Sequence, residues 1–187
     1  GEIEWYFQHI PGGNWDLDHP FERIVVESTV TPLEENVSWI NPDIKSAESR
    51  KLITGIPGKP GIIWTLDART GEFLWAKETN FQTVIVGVDI ENHKGITNPQ
   101  LDITEIRQRK TVCPSTTGGI NWNSIAYSPQ TNALYAPTNN VCMDYYLNPV
   151  NPTVGGYHSS AVSRKISVPE GDEQIGIFSA VDVSSGE

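Results

Sequence analysis

Trp64-Thr65-Leu66-Asp67-Ala68-Arg69-Thr70-Gly71-Glu72-Phe73-Leu74-Trp75 has a partial copy at the far end of the chain, Phe178-Ser179-Ala180-Val181-Asp182-Val183-Ser184-Ser185-Gly186-Glu187. Both reduce to apolar-Asp-X-X-(Ser/Thr)-Gly-Glu. The chain also opens on Gly1-Glu2-Ile3-Glu4-Trp5, the same unit entered halfway. Each glycine suits the left-handed position of a hairpin turn, and each tryptophan offers a large flat face to a neighbouring unit. Gly1, Gly71 and Gly186 mark intervals of 71 − 1 = 70 and 186 − 71 = 115 residues. Strand–turn–strand units at that scale, stretched by insertions, predict blades of a β-propeller, each burying its face on the next. Residues 1–187 hold roughly two blades, which cannot close a ring, so the sequence reads as a piece of a longer protein.

Outward from the repeat, strands are expected over 1–8, 22–30, 50–56, 61–67, 72–76, 124–127 with 133–136, 141–146 and 176–182. These runs are rich in β-branched and aromatic residues and lie between Gly and Pro breaks. Residues 31–50, 87–110 and 147–172 read as inserted loops, the second with room for one short strand. No long amphipathic helix is found, so the expected class is all-β. A formal net charge of −10 over 187 residues leaves no basic stripe for nucleic acid. No apolar run reaches the roughly 18 residues of a membrane span, and no signal peptide is visible.

Asn14-Trp15-Asp16-Leu17-Asp18-His19-Pro20 places two carboxylates two positions apart behind Gly12-Gly13. In an extended segment residues i and i+2 point to one side, so Asp16 and Asp18 would face each other. Their repulsion calls for a cation or a shared proton. The competing reading is a turn in which Asp caps backbone N–H groups. Cys113 and Cys142 stand 142 − 113 = 29 positions apart, with no histidine at zinc-ligand spacing. A structural disulfide is their simplest use and would imply an oxidising compartment, with two buried free thiols as the alternative.

The repeat, the Trp15-Asp16-Leu17-Asp18 stretch and the Cys113–Cys142 segment together resemble, in order and over nearly the whole chain, the quinoprotein alcohol dehydrogenases. These are the methanol- and ethanol-type enzymes that use pyrroloquinoline quinone (PQQ) and are built as eight-bladed propellers. Ile63 through Trp75 resembles the family's tryptophan docking motif. Val112-Cys113-Pro114-Ser115, Gly118-Gly119-Ile120-Asn121-Trp122 and Cys142-Met143-Asp144 resemble its late-blade pattern. The resemblance implies Asp16 as catalytic base and metal ligand, and Lys59 of Gly58-Lys59-Pro60-Gly61 as the cation at the quinone carbonyls. It implies Asn121, with Trp122 beside it, at the cofactor, and a disulfide between Cys113 and Cys142. Asp18 fills the position where lanthanide-using members carry Asp and calcium-using members a small or neutral residue, which favours a lanthanide ion over Ca²⁺. Leu17 and His19-Pro20 depart from both patterns.

The implied function is oxidation of a primary alcohol to the aldehyde. Electrons would pass to an acceptor such as a cytochrome c, in a secreted, periplasmic protein completed by the rest of the propeller. The alternative is a non-catalytic periplasmic scaffold that uses the repeat only to stack blades. A hydrolase with Asp16 and Asp18 as paired carboxylates fits less well, since nothing resembles a sugar-binding platform.

Overall fold

The computed structural model describes all 187 residues, the side chains of residues 165 and 166 excepted. It is all-β and antiparallel, in four sheets. The largest is built from β1 (Ile24–Val30), β2 (Trp39–Ile40), β3 (Glu48–Gly55), β4 (Ile62–Asp67) and β5 (Phe73–Glu78), in the order β1-β3-β4-β5-β2. A hairpin of β6 (Ile85–Asp89) and β7 (Lys94–Thr97) follows, then a 3-10 turn at Pro99–Leu101. β8 (Lys110–Val112), β11 (Cys142–Leu147) and β12 (Ala161–Ser167) form one three-stranded sheet with β11 central. β9 (Ala126–Ser128), β10 (Ala133–Asn139) and β13 (Gly176–Asp182) form the other, with β10 central.

Every residue of β4 is buried because the strand is central and both faces of its sheet are covered. Ile62, Trp64 and Leu66 enter one core with Trp15, Leu17, Met143 and Tyr145. Ile63 enters the other with Leu52, Ile120, Leu134 and Val181. Strict alternation would send Leu74 and Trp75 to opposite faces. A register shift between β4 and β5 pairs Thr65 with Trp75 but Leu66 with Phe73, leaving Leu74 as the extra residue. Leu74 and Trp75 therefore both face the second core.

The two copies of the repeat adopt one turn, and each fixed position has a reason. The Asp67 carboxylate accepts the backbone N–H of Arg69 at 2.8 Å and of Thr70 at 3.2 Å. The Asp182 carboxylate accepts those of Ser184 at 2.8 Å and Ser185 at 2.9 Å. The hydroxyls of Thr70 and Ser185 each accept the N–H of the following glutamate at 3.2 Å. Gly71 and Gly186 sit at φ +74° and +75° and donate back to Asp67 and Asp182, both at 2.9 Å. The flat face of Trp5 lies on Gly71, so close that a Cβ there would stand 2.6 Å from the indole, and the indole N–H donates to the Ala68 carbonyl at 3.3 Å. At Gly186 the side chain of Val37 takes that place, 2.4 Å from where a Cβ would be, and Trp75 lies behind it at 3.8 Å. The tryptophan of one unit thus packs against the next, as the sequence predicts, directly on the glycine for Trp5 and behind Val37 for Trp75.

Four expectations need correction. Residues 1–8 form no strand: Trp5 and Phe7 turn inward and Tyr6 outward, but a backbone bridge forms only from Gln8 to Lys94. The 87–110 segment contains most of a hairpin, whose turn is closed by Asp89 accepting from Asn92 and contains no glycine to announce it. β2 and the start of β3 lie inside 31–50, and β12 lies inside 147–172, where flanking Asn-Pro and Gly-Gly pairs mask the strand. The strand expected at 124–127 is displaced to Ala126–Ser128. Cys113 and Cys142 are joined, with Cα atoms 4.2 Å apart, tying the end of β8 to the start of β11.

Gly71→Ala would force a side chain into the Trp5 ring at a left-handed φ. Overpacking and backbone strain together predict a loss of about 2–4 kcal/mol, read as a lower midpoint in chemical unfolding of the full-length protein. Ser185→Ala, which removes one hydroxyl acceptor, should cost no more than about 1 kcal/mol.

Candidate functional site

Trp15 and Leu17 are buried while Asp16 and Asp18 between and after them are exposed. The expected alternation is present, though not in a regular strand, since Asp16 takes a left-handed φ of +60°. What anchors the segment is aromatic. The Trp15 indole donates to the Leu101 carbonyl at 3.1 Å, and the Tyr145 hydroxyl donates to the Asn14 carbonyl at 2.6 Å. Burial and the nearby Asp16 charge push the Tyr145 phenol pKa up, so it remains a donor.

The cation between the two carboxylates is Lys59. Its ammonium lies 2.9 Å from Asp18 Oδ2, 3.4 Å from Asp16 Oδ2 and 2.8 Å from the Asp16 carbonyl oxygen. One N–H thus bonds a carbonyl oxygen while the charge is paired with both carboxylates. The lysine side chain is only 8% exposed, against 55% and 58% for the two aspartates. A buried ammonium is tolerated because it is paired with two carboxylates and donates a hydrogen bond to the Asp16 carbonyl. The turn that carries it is fixed from both sides: Lys59 N–H donates to the Asp18 carbonyl at 2.9 Å, and Gly119 N–H donates to the Lys59 carbonyl at 2.7 Å.

The second of those bonds brings the Gly118-Gly119-Ile120-Asn121-Trp122 segment against the lysine turn. Asn121 is half-buried beside the buried Ile120, but Trp122 is 88% exposed. Asp16, Asp18 and Lys59 are therefore brought together, Asn121 is brought to the same loop cluster, and Trp122 projects away from any wall within this chain. Asn80 is a site neighbour that carries no sequence signal. Its amide is buried, its Oδ1 has no hydrogen-bond partner among the described residues, and the backbones of Gly61 and Gly119 close around it.

His19 and His9 are also neighbours that spacing did not suggest. The His19 ring covers Gly58, where any Cβ would meet it at 2.4 Å, and stacks on His9 with centroids 5.3 Å apart. Burial, with the His19 and Arg23 charges, lowers the His9 pKa to about 2. Burial, outweighing the hydrogen bond that His19 Nδ1 donates to the Leu17 carbonyl, lowers His19 to about 4. His9 also lines a cavity of about 230 Å³ with Trp5, Phe7, Arg23 and Trp64, which does not reach Asp16, Asp18 or Lys59.

Carboxylate oxygens are suited to a hard cation, so Asp16 and Asp18 fit part of a metal site. Among the described residues no group of three or more His, Cys, Asp or Glu could complete it. No helix is long and apolar enough to cross a membrane.

No family model matches the chain. Over its whole length it is 29% identical to a putative dehydrogenase XoxF of Paracoccus denitrificans, and 28% identical to a lanthanide-dependent methanol dehydrogenase of Methylacidiphilum fumariolicum. It spans 30% and 28% of their lengths. A solved europium-containing methanol dehydrogenase superimposes with a TM-score of 0.74 at 24% identity, over 94% of this chain and 28% of that one. The fold is that of a propeller fragment, and the resemblance to the quinoprotein alcohol dehydrogenases holds along the whole chain.

Both lowered histidines bind protons in the unfolded chain but not in the folded one below the ordinary value of 6.5. Their contribution is thus full above that pH and is lost as pH falls toward about 4 for His19 and about 2 for His9. Each should steepen the acid loss of unfolding free energy by up to about 1.4 kcal/mol per pH unit over that window. Chemical unfolding of the full-length protein at a series of pH values should show this slope reduced in His9→Gln and His19→Gln.

Proposed function

We propose that the full-length protein is a PQQ-dependent alcohol dehydrogenase, to which this chain contributes about two blades and one edge of the active site. The observation that carries this reading is the convergence of Asp16, Asp18 and the buried Lys59 ammonium. All three lie on a chain similar from end to end to a lanthanide-dependent methanol dehydrogenase. A scaffold that only stacked blades would gain nothing from burying an ammonium at a partly exposed carboxylate pair.

Asp16 Oδ2 accepts the hydroxyl proton of the bound primary alcohol as general base. PQQ, when bound, supplies the quinone that takes up the hydride. Lys59 presents fixed positive charge where negative charge develops on the quinone oxygens. Asn121, on the loop held to Lys59 through Gly119, orients the cofactor by hydrogen bonds, with Trp122 beside it. Asp16 and Asp18 would hold the metal, which would supply Lewis-acid chemistry when bound. A trivalent lanthanide gains more than Ca²⁺ from the second carboxylate. The remaining ligands come from other blades, the electrons leave to an acceptor such as a cytochrome c, and the protein works in the periplasm.

The test is alcohol-dependent dye reduction by the full-length protein with PQQ, supplied in turn with a lanthanide and with calcium. Activity should be higher with the lanthanide. Asp16→Asn should lower kcat about 10²–10⁴-fold, and Asp18→Ala should abolish the lanthanide preference. No turnover with either ion sinks the reading.

A further inference from the structure

The face of the β12-β11-β8 sheet around Tyr146 carries three arginines from two separate parts of the chain. Alternation along β11 places Asp144 and Tyr146 on one side, and Asn148 follows just past its end. Lys110 of β8 pairs with Tyr145, which sets the preceding Arg109 beside Tyr146, and β12 delivers Arg164 from the other flank, where the register shifts. The two guanidiniums stand 5.0 and 5.8 Å from the centroid of the Tyr146 ring. Arg107 and Asn148 complete a groove of about 370 Å³.

This concentration of cations is unusual for the chain. Six of its 187 residues are arginine and its net charge is −10, yet three arginines line one groove. Asp144 pairs with Arg109 alone. Among the described residues Arg107 and Arg164 have no carboxylate partner, so the groove keeps a net charge of +2 from 3 − 1. Arg107 also holds a left-handed φ of +65°, fixed by its N–H donating to the Leu147 carbonyl at 2.8 Å. That conformation is unfavourable for a side chain with a Cβ, and here it places a third guanidinium on the groove. The planar forks are suited to bidentate bonds with carboxylate or phosphate oxygens, and Asn148 adds an amide at the rim.

We propose that this groove is a binding site for a small multivalent oxyanion, either phosphate or a compact di- or tricarboxylate. The anion bridges Arg107 and Arg164 and relieves their repulsion across Tyr146, while Arg109 stays oriented by Asp144. The site is independent of Asp16, Asp18 and Lys59.

Isothermal titration of the full-length protein at low ionic strength, with inorganic phosphate and separately with citrate, tests this and distinguishes the two ligand sources. Saturable binding of either anion is expected. Arg164→Gln and Arg107→Gly should each weaken it about tenfold. Glycine suits the left-handed backbone at 107, so that variant keeps its fold. Arg69→Gln, on the β4–β5 turn of the five-stranded sheet, should leave binding unchanged. Absence of saturation by about 10 mM anion, or equal weakening by Arg69→Gln, overturns the proposal, because either result reduces the groove to diffuse surface charge.

Discussion

An indole face resting on a glycine is the contact from which the rest of this architecture follows. Trp5 can lie on Gly71 only because no Cβ stands there, and Gly71 can hold its left-handed backbone for the same reason. The turn beneath is locked by the Asp67 carboxylate and the Thr70 hydroxyl, which collect three backbone N–H groups between them. The same arrangement recurs at Asp182, Ser185 and Gly186, where Trp75 approaches. That tryptophan faces the correct core because a one-residue bulge at Leu74 resets the alternation of β5. A local irregularity in one strand therefore serves the regular stacking of sheets.

Legibility in the sequence tracked how far each feature depends on nearby residues. The docking turn could be read because Asp, Ser/Thr, Gly and Trp act within one short segment. The Asp16–Asp18 alternation could be read because the buried Trp15 and Leu17 interleave with it. The β6–β7 hairpin escaped because its turn is closed by Asp89 and Asn92 with His93 at φ +52°, and no glycine marks it. β12 escaped because loop-forming dipeptides lie around it. The identity of the cation between Asp16 and Asp18 could not be read from either segment, since it depends on the Lys59 turn folding back through a backbone bond to Asp18. The His9–His19 stack and Asn80 are likewise products of tertiary packing, with no periodicity to announce them. Trp122, whose place in a resembling motif suggests a cofactor neighbour, leaves its ring exposed on this chain.

The lysine turn is the junction of the two halves of the chain. Asp18 receives its N–H and Gly119 donates to its carbonyl, so residues 14–20 and 118–122 are positioned by the same peptide units. Burial of the ammonium makes this junction electrostatic as well as geometric. Any displacement of the 118–122 loop would be felt at the carboxylates through two backbone hydrogen bonds and one side chain.

The pairing of Lys59 with both carboxylates has a thermodynamic consequence. A metal ion settling on Asp16 and Asp18 would compete with a counter-ion already in residence, and its apparent affinity would be reduced by the cost of that exchange. Coulomb attraction scales with the charge of the incoming ion, whereas the ammonium's hold on the carboxylates is the same against every competitor. The resident lysine would thus act as a threshold that a triply charged ion clears more readily than a doubly charged one. The ammonium released in the exchange would regain free N–H donors for an anionic partner. Cation and anion binding would then be reciprocally coupled through a single side chain.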